Sequence, residues 1–239
     1  MEVHFYHELP STNSAAAAAA RAGAAEFYTV VAERQTAGRG RMERSFFSPA
    51  GGTYFSTVLR PQMPMSAYGR LTPMAAVAVH RALCHLTGTV TEIKWINDLL
   101  LDGKKVCGIL AESGTDHNGE PFVILGIGIN TADVDFPPEL WHTATYIPCE
   151  DRMALIGAIL AELAEYEAMA RQAAWLPYYR EYCAFLGETV LVSEGGRVRR
   201  GVALDVLEDG ALRVDFGDGS VEELRGGEIS LRPAPRREI

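Results

Sequence analysis

A chain of 239 residues, 48% hydrophobic and 22% charged, can bury the core of one large folded unit, or of one large and one small. Its formal net charge of −9 repels a phosphate backbone and excludes general nucleic-acid binding, unless positive charge is gathered locally, as several arginines are here. No basic stretch followed by an apolar core opens the chain, and the alanine run 15–20 is too short to span a membrane. The four cysteines form no CxxC pair and the histidines no HExxH motif, so a reducing cytoplasm is expected and a zinc site is not.

In chain order, Leu9-Pro10-Ser11-Thr12-Asn13-Ser14 before an alanine-rich stretch predicts a capped helix reaching about Gly23. The apolar run 27–33 reads as a buried strand, and strand character resumes at 53–59 after a glycine and arginine segment. Thr72-Pro73 predicts the cap and first turn of a helix to about Leu86, with Gly88 as its stop. Residues 94–101 and 104–112 flank Asp102-Gly103, the signature of a hairpin with a tight primed turn. Residues 122–129 form another buried strand. Asp151 opens a helix with Leu155, Ile159, Leu163 and Tyr166 on one face, and more helix is expected over 175–185. Beyond Gly187 come short alternating strands at 189–192, 197–206, 211–216 and 220–224, separated by Gly- and Asp-rich turns. They predict a small β-barrel appended to an α+β domain.

Three segments carry residue types suited to chemistry. In Gly38-Arg39-Gly40-Arg41-Met42-Glu43-Arg44 the glycines let backbone N–H groups converge on an anion, and the arginines supply planar forks for carboxylate or phosphate. It is neither a Walker loop nor a dinucleotide fingerprint, and by itself it reads better as a mobile solvated loop, with three arginines in six residues of an acidic chain tilting it towards anion binding. In Lys94-Trp95-Ile96-Asn97-Asp98 with Lys104-Lys105, the hairpin brings a carboxylate near two lysines. Asp98 suits Mg²⁺, which takes one or two carboxylates plus phosphate oxygens, while the lysines alone read as charges facing water. In Gly126-Ile127-Gly128-Ile129-Asn130 the asparagine either satisfies backbone groups at a strand end or is presented to a ligand.

Together and in this order the segments resemble the biotin–protein ligase family, whose pattern runs Ser-Thr-Asn, GRGRxxRxW, SPxGGxYxS, KWPND, KKxxGIL, GxGxN. Here STN stands at 11–13, GRGRMERSF at 38–46, SPAGGTYFS at 48–56, KWIND at 94–98, KKVCGIL at 104–110 and GIGIN at 126–130. The likeness covers most of residues 1–185. Phe46 replaces the usual Trp, keeping aromatic area without the indole donor, and Ile96 replaces Pro.

The resemblance implies a catalytic domain over 1–185 with a mixed β-sheet and packed helices (class II synthetase-like, of the biotin/lipoate ligase type). It implies a small C-terminal SH3-like β-barrel over 186–239. It implies ATP-dependent activation of biotin to biotinyl-5′-AMP, then transfer to a lysine of a biotin carboxyl carrier protein, with Mg²⁺. Carried over residue by residue, Ser11, Thr12, Asn13 and Gln35 would meet the biotin head group, and a helix-cap role for the first three is compatible with that. Arg39, Gly40 and Arg41 would close over biotin. Lys105 would bridge the biotin carboxylate and the α-phosphate, making it and Arg41 the catalytic pair. Gly38, Arg41, Arg44, Asn97, Lys105 and Asn130 are expected near the nucleotide, and Asp98 near the metal.

A lipoate ligase shares the broad architecture, but the GRGR loop with KKxxGIL favours biotin. A DNA-binding biotin sensor would need an N-terminal helix-turn-helix, for which a Ser-Thr-Asn motif starting at residue 11 leaves no room. A β-barrel interaction protein would explain residues 187–239 alone. No membrane or nucleic-acid partner is expected, and the family, which holds both monomers and homodimers, allows either state.

Overall fold

The computed structural model describes residues 2–42, 44–226 and 230–233. Its first sheet holds β1 (Glu2–Leu9), β2 (Tyr28–Gln35), β3 (Thr53–Leu59), β4 (Glu92–Lys94), β5 (Asp98–Leu101), β6 (Lys104–Thr115) and β7 (Pro121–Ile129). Their order is β1-β2-β3-β7-β6-β5-β4. The β1–β2 pair is parallel and the rest are antiparallel, so the sheet is mixed.

Alternation along β7 shows how two layers of helix are served. Phe122 and Ile124 face α1 (Thr12–Arg21), where they pack with Ala16, Ala20, Val30 and Val58. Val123, Leu125, Ile127 and Ile129 face the other way. There the sheet is covered by α2 (Leu71–Thr87), α3 (Arg152–Leu163), α4 (Tyr166–Gln172) and α5 (Leu176–Tyr182). The α1 face of β7 continues as Gly126 and Gly128, which have no side chain to fill the space. That gap, at the N-terminal end of α1, is where the site forms.

The second sheet is antiparallel, with β8 (Thr189–Glu194), β9 (Arg197–Val206), β10 (Leu212–Asp215), β11 (Val221–Leu224) and β12 (Ser230–Pro233) in the order β11-β10-β9-β8-β12. Its inward residues, Val190, Val192, Ala203, Val206, Leu212, Val214 and Leu224, belong to the same buried cluster as α2 and the first sheet. Of the predicted C-terminal segment 186–239, residues 227–229 and 234–239 lie outside the described residues, as does Glu43 of the arginine segment.

Several expectations are corrected. Thr72-Pro73 is not the cap of α2: the helix starts at Leu71, continuing out of a 3₁₀ turn (Met65–Arg70), and no side chain caps it. Tyr166 is not on α3 but in α4, because the chain leaves the helix after Leu163. The run 94–101 is not one strand; a turn at 95–97 separates β4 from β5. The helix expected over 175–185 is confined to Leu176–Tyr182. Strands β1 and β12 were not foreseen. The residues of β1 are mostly exposed and so carry no buried period. The Asp102-Gly103 turn is as predicted, with φ of 50° and 75° at its two residues.

Candidate active site

A cleft of about 950 Å³, its open mouth included, lies over β6 and β7 beside the start of α1. Four segments distant in sequence line it: 11–13, Gln35 with 39–42 and 44–46, 94–98 and 105–110, with 126–128 as floor.

One end is a hydrogen-bond network of uncharged side chains resting on one carboxylate, Glu112. Ser11 caps α1, its Oγ accepting from Ser14 N–H at 3.5 Å, so the helix start is fixed by the motif itself. Thr12 N–H and Thr12 Oγ1 both donate to Gln35 Oε1, at 2.8 and 3.1 Å, and Gln35 Nε2 donates to Ser48 Oγ at 2.9 Å. Buried Ser56 donates to Asn13 Oδ1 at 2.6 Å and lies 2.8 Å from Thr12 Oγ1. Asn13 Nδ2 donates to Glu112 Oε2 at 2.8 Å. Gly126 is required here, since a Cβ on it would fall 1.8 Å from Asn13 Oδ1. Gly128 admits the Phe46 ring in the same way, with a hypothetical Cβ 2.6 Å from the ring edge.

The other end is cationic. Arg39 pairs with Glu112 at 2.6 Å, and Arg41 Nη1 donates to Asn97 Oδ1 at 3.1 Å. Lys105 Nζ lies 2.7 Å from Asp98 Oδ1 and 5.5 Å from the Phe46 ring centroid. Arg44 lines the same wall. Burial lowers the pKa of the Arg41 guanidinium from its ordinary value, Asp98 opposes this and Arg44 adds to it. Arginine tolerates such a shift and remains charged. The arginine segment is not a slack loop. Gly40 N–H donates to Arg44 O at 2.7 Å, Phe46 N–H donates to Gly38 O at 2.9 Å, and Arg39 and Ser45 form a β-bridge.

The turn 95–97 joins these groups. Its Trp95–Ile96 peptide is cis, at the position where Ile96 departs from the family pattern. Asn97 Nδ2 donates to Ile109 O at 2.9 Å while its Oδ1 holds Arg41, and the next residue, Asp98, holds Lys105.

The predicted Ser11, Thr12, Asn13, Gln35, Arg39, Gly40, Arg41, Arg44, Asn97, Asp98 and Lys105 therefore converge on one cleft. Gly38 and Asn130 do not line it. Gly38 supports it from behind, through its carbonyl. Asn130 is buried, its Nδ2 donating to Thr145 O at 2.8 Å, so it serves the strand end by tying down the segment beside Lys105. That segment pairs with Lys105 through Lys105 N–H to Thr143 O at 2.8 Å and Thr145 N–H to Lys105 O at 2.9 Å. Sequence reasoning missed Glu112 and Ser56. Glu112 carried a signal, as the carboxylate on the same face of β6 as Gly108 and Leu110.

Comparison with known proteins places this geometry. The model of the Biotin/lipoate A/B protein ligase family matches residues 10–130. The Bifunctional ligase/repressor BirA of Bacillus subtilis is 34% identical over 240 residues, covering 95% of this chain and 73% of that protein. The Biotin--[acetyl-CoA-carboxylase] ligase of Mycobacterium tuberculosis is 33% identical, over 93% of this chain and 86% of that protein. Among solved structures, the biotin protein ligase from Aquifex aeolicus in complex with biotin and ATP superimposes with a TM-score of 0.83 at 26% identity, over 98% of this chain and 99% of that one.

Proposed function

Because this chain belongs to the biotin/lipoate A/B protein ligase family, we propose the reading its cleft supports best: it is a biotin–protein ligase. It activates biotin with ATP, releasing pyrophosphate, and transfers the biotinyl group to a lysine of a biotin carboxyl carrier protein. The observation that carries this is the two-ended cleft. A neutral network at 11–13 and 35 suits a ureido head group, and Arg39, Arg41 and Lys105 suit two anions that must meet.

In the first step a biotin carboxylate oxygen attacks the α-phosphorus. The new P–O bond forms as the bond to pyrophosphate breaks. Two unit charges ~4 Å apart repel by roughly 4 kcal/mol at an effective dielectric near 20, so the approach needs cations. Lys105 is assigned between carboxylate and α-phosphate, where it exchanges Asp98 for substrate oxygens. Arg41, held by Asn97, is assigned to the phosphate and Arg39 to the biotin side. Gly40 and Arg44 are assigned to the strap over the adenylate, with Gly38 bracing it from behind, and Asn130 is assigned an indirect part, holding the 143–145 segment that pairs with Lys105.

Asp98 is a fitting single carboxylate for a Mg²⁺ ion carried in on ATP phosphates, although it pairs with Lys105 and no cluster of three or more acidic, His or Cys side chains occurs among the described residues. Such an ion supplies further charge neutralisation at the phosphates. In the second step the acceptor amine attacks the acyl carbon, AMP leaves, and the amine gives up a proton. Its free pKa near ~10.4 means that positioning must supply part of the activation.

The five-stranded antiparallel sheet supports an SH3-like barrel over 186–239, with 1–185 as the catalytic domain. No helix among the described residues is long and apolar enough to cross a membrane, and the cysteine usage favours the cytoplasm. The test is direct. With biotin, ATP, Mg²⁺ and a carrier domain, one carrier lysine gains the mass of one biotinyl group. No gain, or preferential use of lipoate in competition, overturns the assignment.

A further inference from the structure

The turn that holds Arg41 and Lys105 is itself held from the second sheet. Trp95 is 4% exposed, and its indole Nε1–H donates to Gly210 O at 2.9 Å across 115 residues of sequence. Gly210 lies in the turn between β9 and β10 with φ of +86°, and a Cβ there would fall 3.2 Å from Gly69 O and 3.4 Å from Pro73 Cγ. The turn is thus seated tightly on the start of α2. Arg180 of α5 clamps the preceding strand end through Val206 O at 3.1 Å and Asp205 at 2.7 Å. Beside the same turn, just past β11, a Cβ on Gly226 would stand 3.7 Å from Arg41 Nη2. The second sheet therefore meets the anion-binding apparatus at two points, beneath the 95–97 turn and beside the Arg41 guanidinium.

We infer that Trp95 is a positioning residue for adenylation: its bond to Gly210 O lets the small β unit fix the 95–98 segment, and through Asn97 and Asp98 it fixes Arg41 and Lys105. The inference rests on the biotin-ligase reading of the cleft. The physical ground is the short lever. Trp95 is two residues from Asn97, which contacts Arg41 at 3.1 Å, and three from Asp98, which contacts Lys105 at 2.7 Å. A rotation of the segment moves both cations together, and misplacement by about 1 Å costs up to roughly a hundredfold in rate. The head-group network of Thr12, Asn13 and Gln35 hangs on α1 and β2 instead, so recognition of the biotin head group does not run through this segment.

The experiment compares wild type with Trp95→Phe, which keeps one aromatic ring in place and removes the N–H donor together with the pyrrole half of the buried indole. The readout is biotin-dependent ATP–pyrophosphate exchange by the full chain. The expected result is a kcat lowered roughly ten- to a hundredfold with the KM for biotin within about twofold of wild type. A second variant, Asp209→Ala, acts on the other partner. Asp209 Oδ1 accepts from Ala211 N–H at 3.0 Å and Oδ2 accepts from Arg225 Nε at 3.1 Å, so its loss slackens the turn together with the Arg225–Gly226 segment beside Arg41, while Asp209 itself does not line the cleft. It should lower kcat in the same direction, and the double variant should fall less than the product of the two. Trp95→Phe with wild-type kcat, or with only a lowered unfolding temperature, overturns the inference. So does a kcat loss that is fully multiplicative with Asp209→Ala. Absence of exchange in the wild type overturns the ligase reading instead, which keeps the two failures apart.

Discussion

At the scale of single residues, the site is built from side chains that already have partners, and catalysis must trade those partners for substrate. Lys105 is about one-third exposed and leans on Asp98, so its ammonium is presented at the cleft with its rotamer already restricted. Lys105→Ala should depress ATP–pyrophosphate exchange by roughly 10² to 10³, the scale of losing one charged group at a developing anion, while leaving the fold intact by circular dichroism. Exchange at the wild-type rate would remove Lys105 from the reaction. Glu112 is the residue that ties the two ends of the cleft, accepting from Asn13 and from Arg39. Glu112→Gln keeps the shape but removes the charge that orients Arg39. The biotin Kd by calorimetry should rise about tenfold, the worth of one charge-assisted hydrogen bond, and an unaltered Kd would show that Arg39 is placed by something else.

At the scale of elements, α2 and α5 meet around a buried imidazole. His80 has no exposed surface; Nε2 lies 2.8 Å from Thr91 O and Nδ1 2.9 Å from Tyr178 Oη, with the Tyr182 ring 4.3 Å away. The neutral tautomer with its proton on Nε2 satisfies both partners, donating to Thr91 and accepting from Tyr178. Burial depresses the His80 pKa, the Thr91 carbonyl opposes the shift, Arg81 adds to it and Glu181 opposes it. A depressed histidine is neutral when folded, whereas the unfolded imidazole takes up a proton near pH ~6.5. Its contribution to stability is therefore complete above that pH and is lost as the pH falls below it towards the folded value. The unfolding temperature should fall between pH 7 and pH 5 more steeply for wild type than for His80→Gln. Equal slopes would mean that the acid sensitivity comes from carboxylates alone.

At the scale of the whole molecule, two sheets share one core. Leu212, Val214 and Leu224 of the second sheet belong to the same contiguous buried cluster as Leu71, Met74 and Trp95, and polar ties from Arg180 and Trp95 lie along the seam. Burial of this kind couples the stabilities of the parts, so calorimetry of the full chain should record one unfolding transition. Two separated transitions would show that the seam is weak and would leave the small unit an appendage. The site depends on the same arrangement, because its walls come from segments up to about 100 residues apart that only the stacked sheet and helices bring together.

The sequence by itself determined the local structure and the inventory. The Asp102-Gly103 turn, the Ser11 cap and the strand at 53–59 were legible, because turn chemistry, capping and two-residue alternation act over a few neighbours, whereas the residues of the cleft were named only through the resemblance of the ordered motifs. The ordered motifs also pointed to the family. Tertiary structure alone decided who holds whom. Glu112 reaches Asn13 across 99 residues, Ser56 sits under the start of α1, Asn130 turns to Thr145 rather than to the cleft, and Trp95 bonds to Gly210. Such pairings depend on strand order, register and the seating of one sheet against another. These are set by long-range burial of apolar surface, which leaves no fixed spacing in the chain to read.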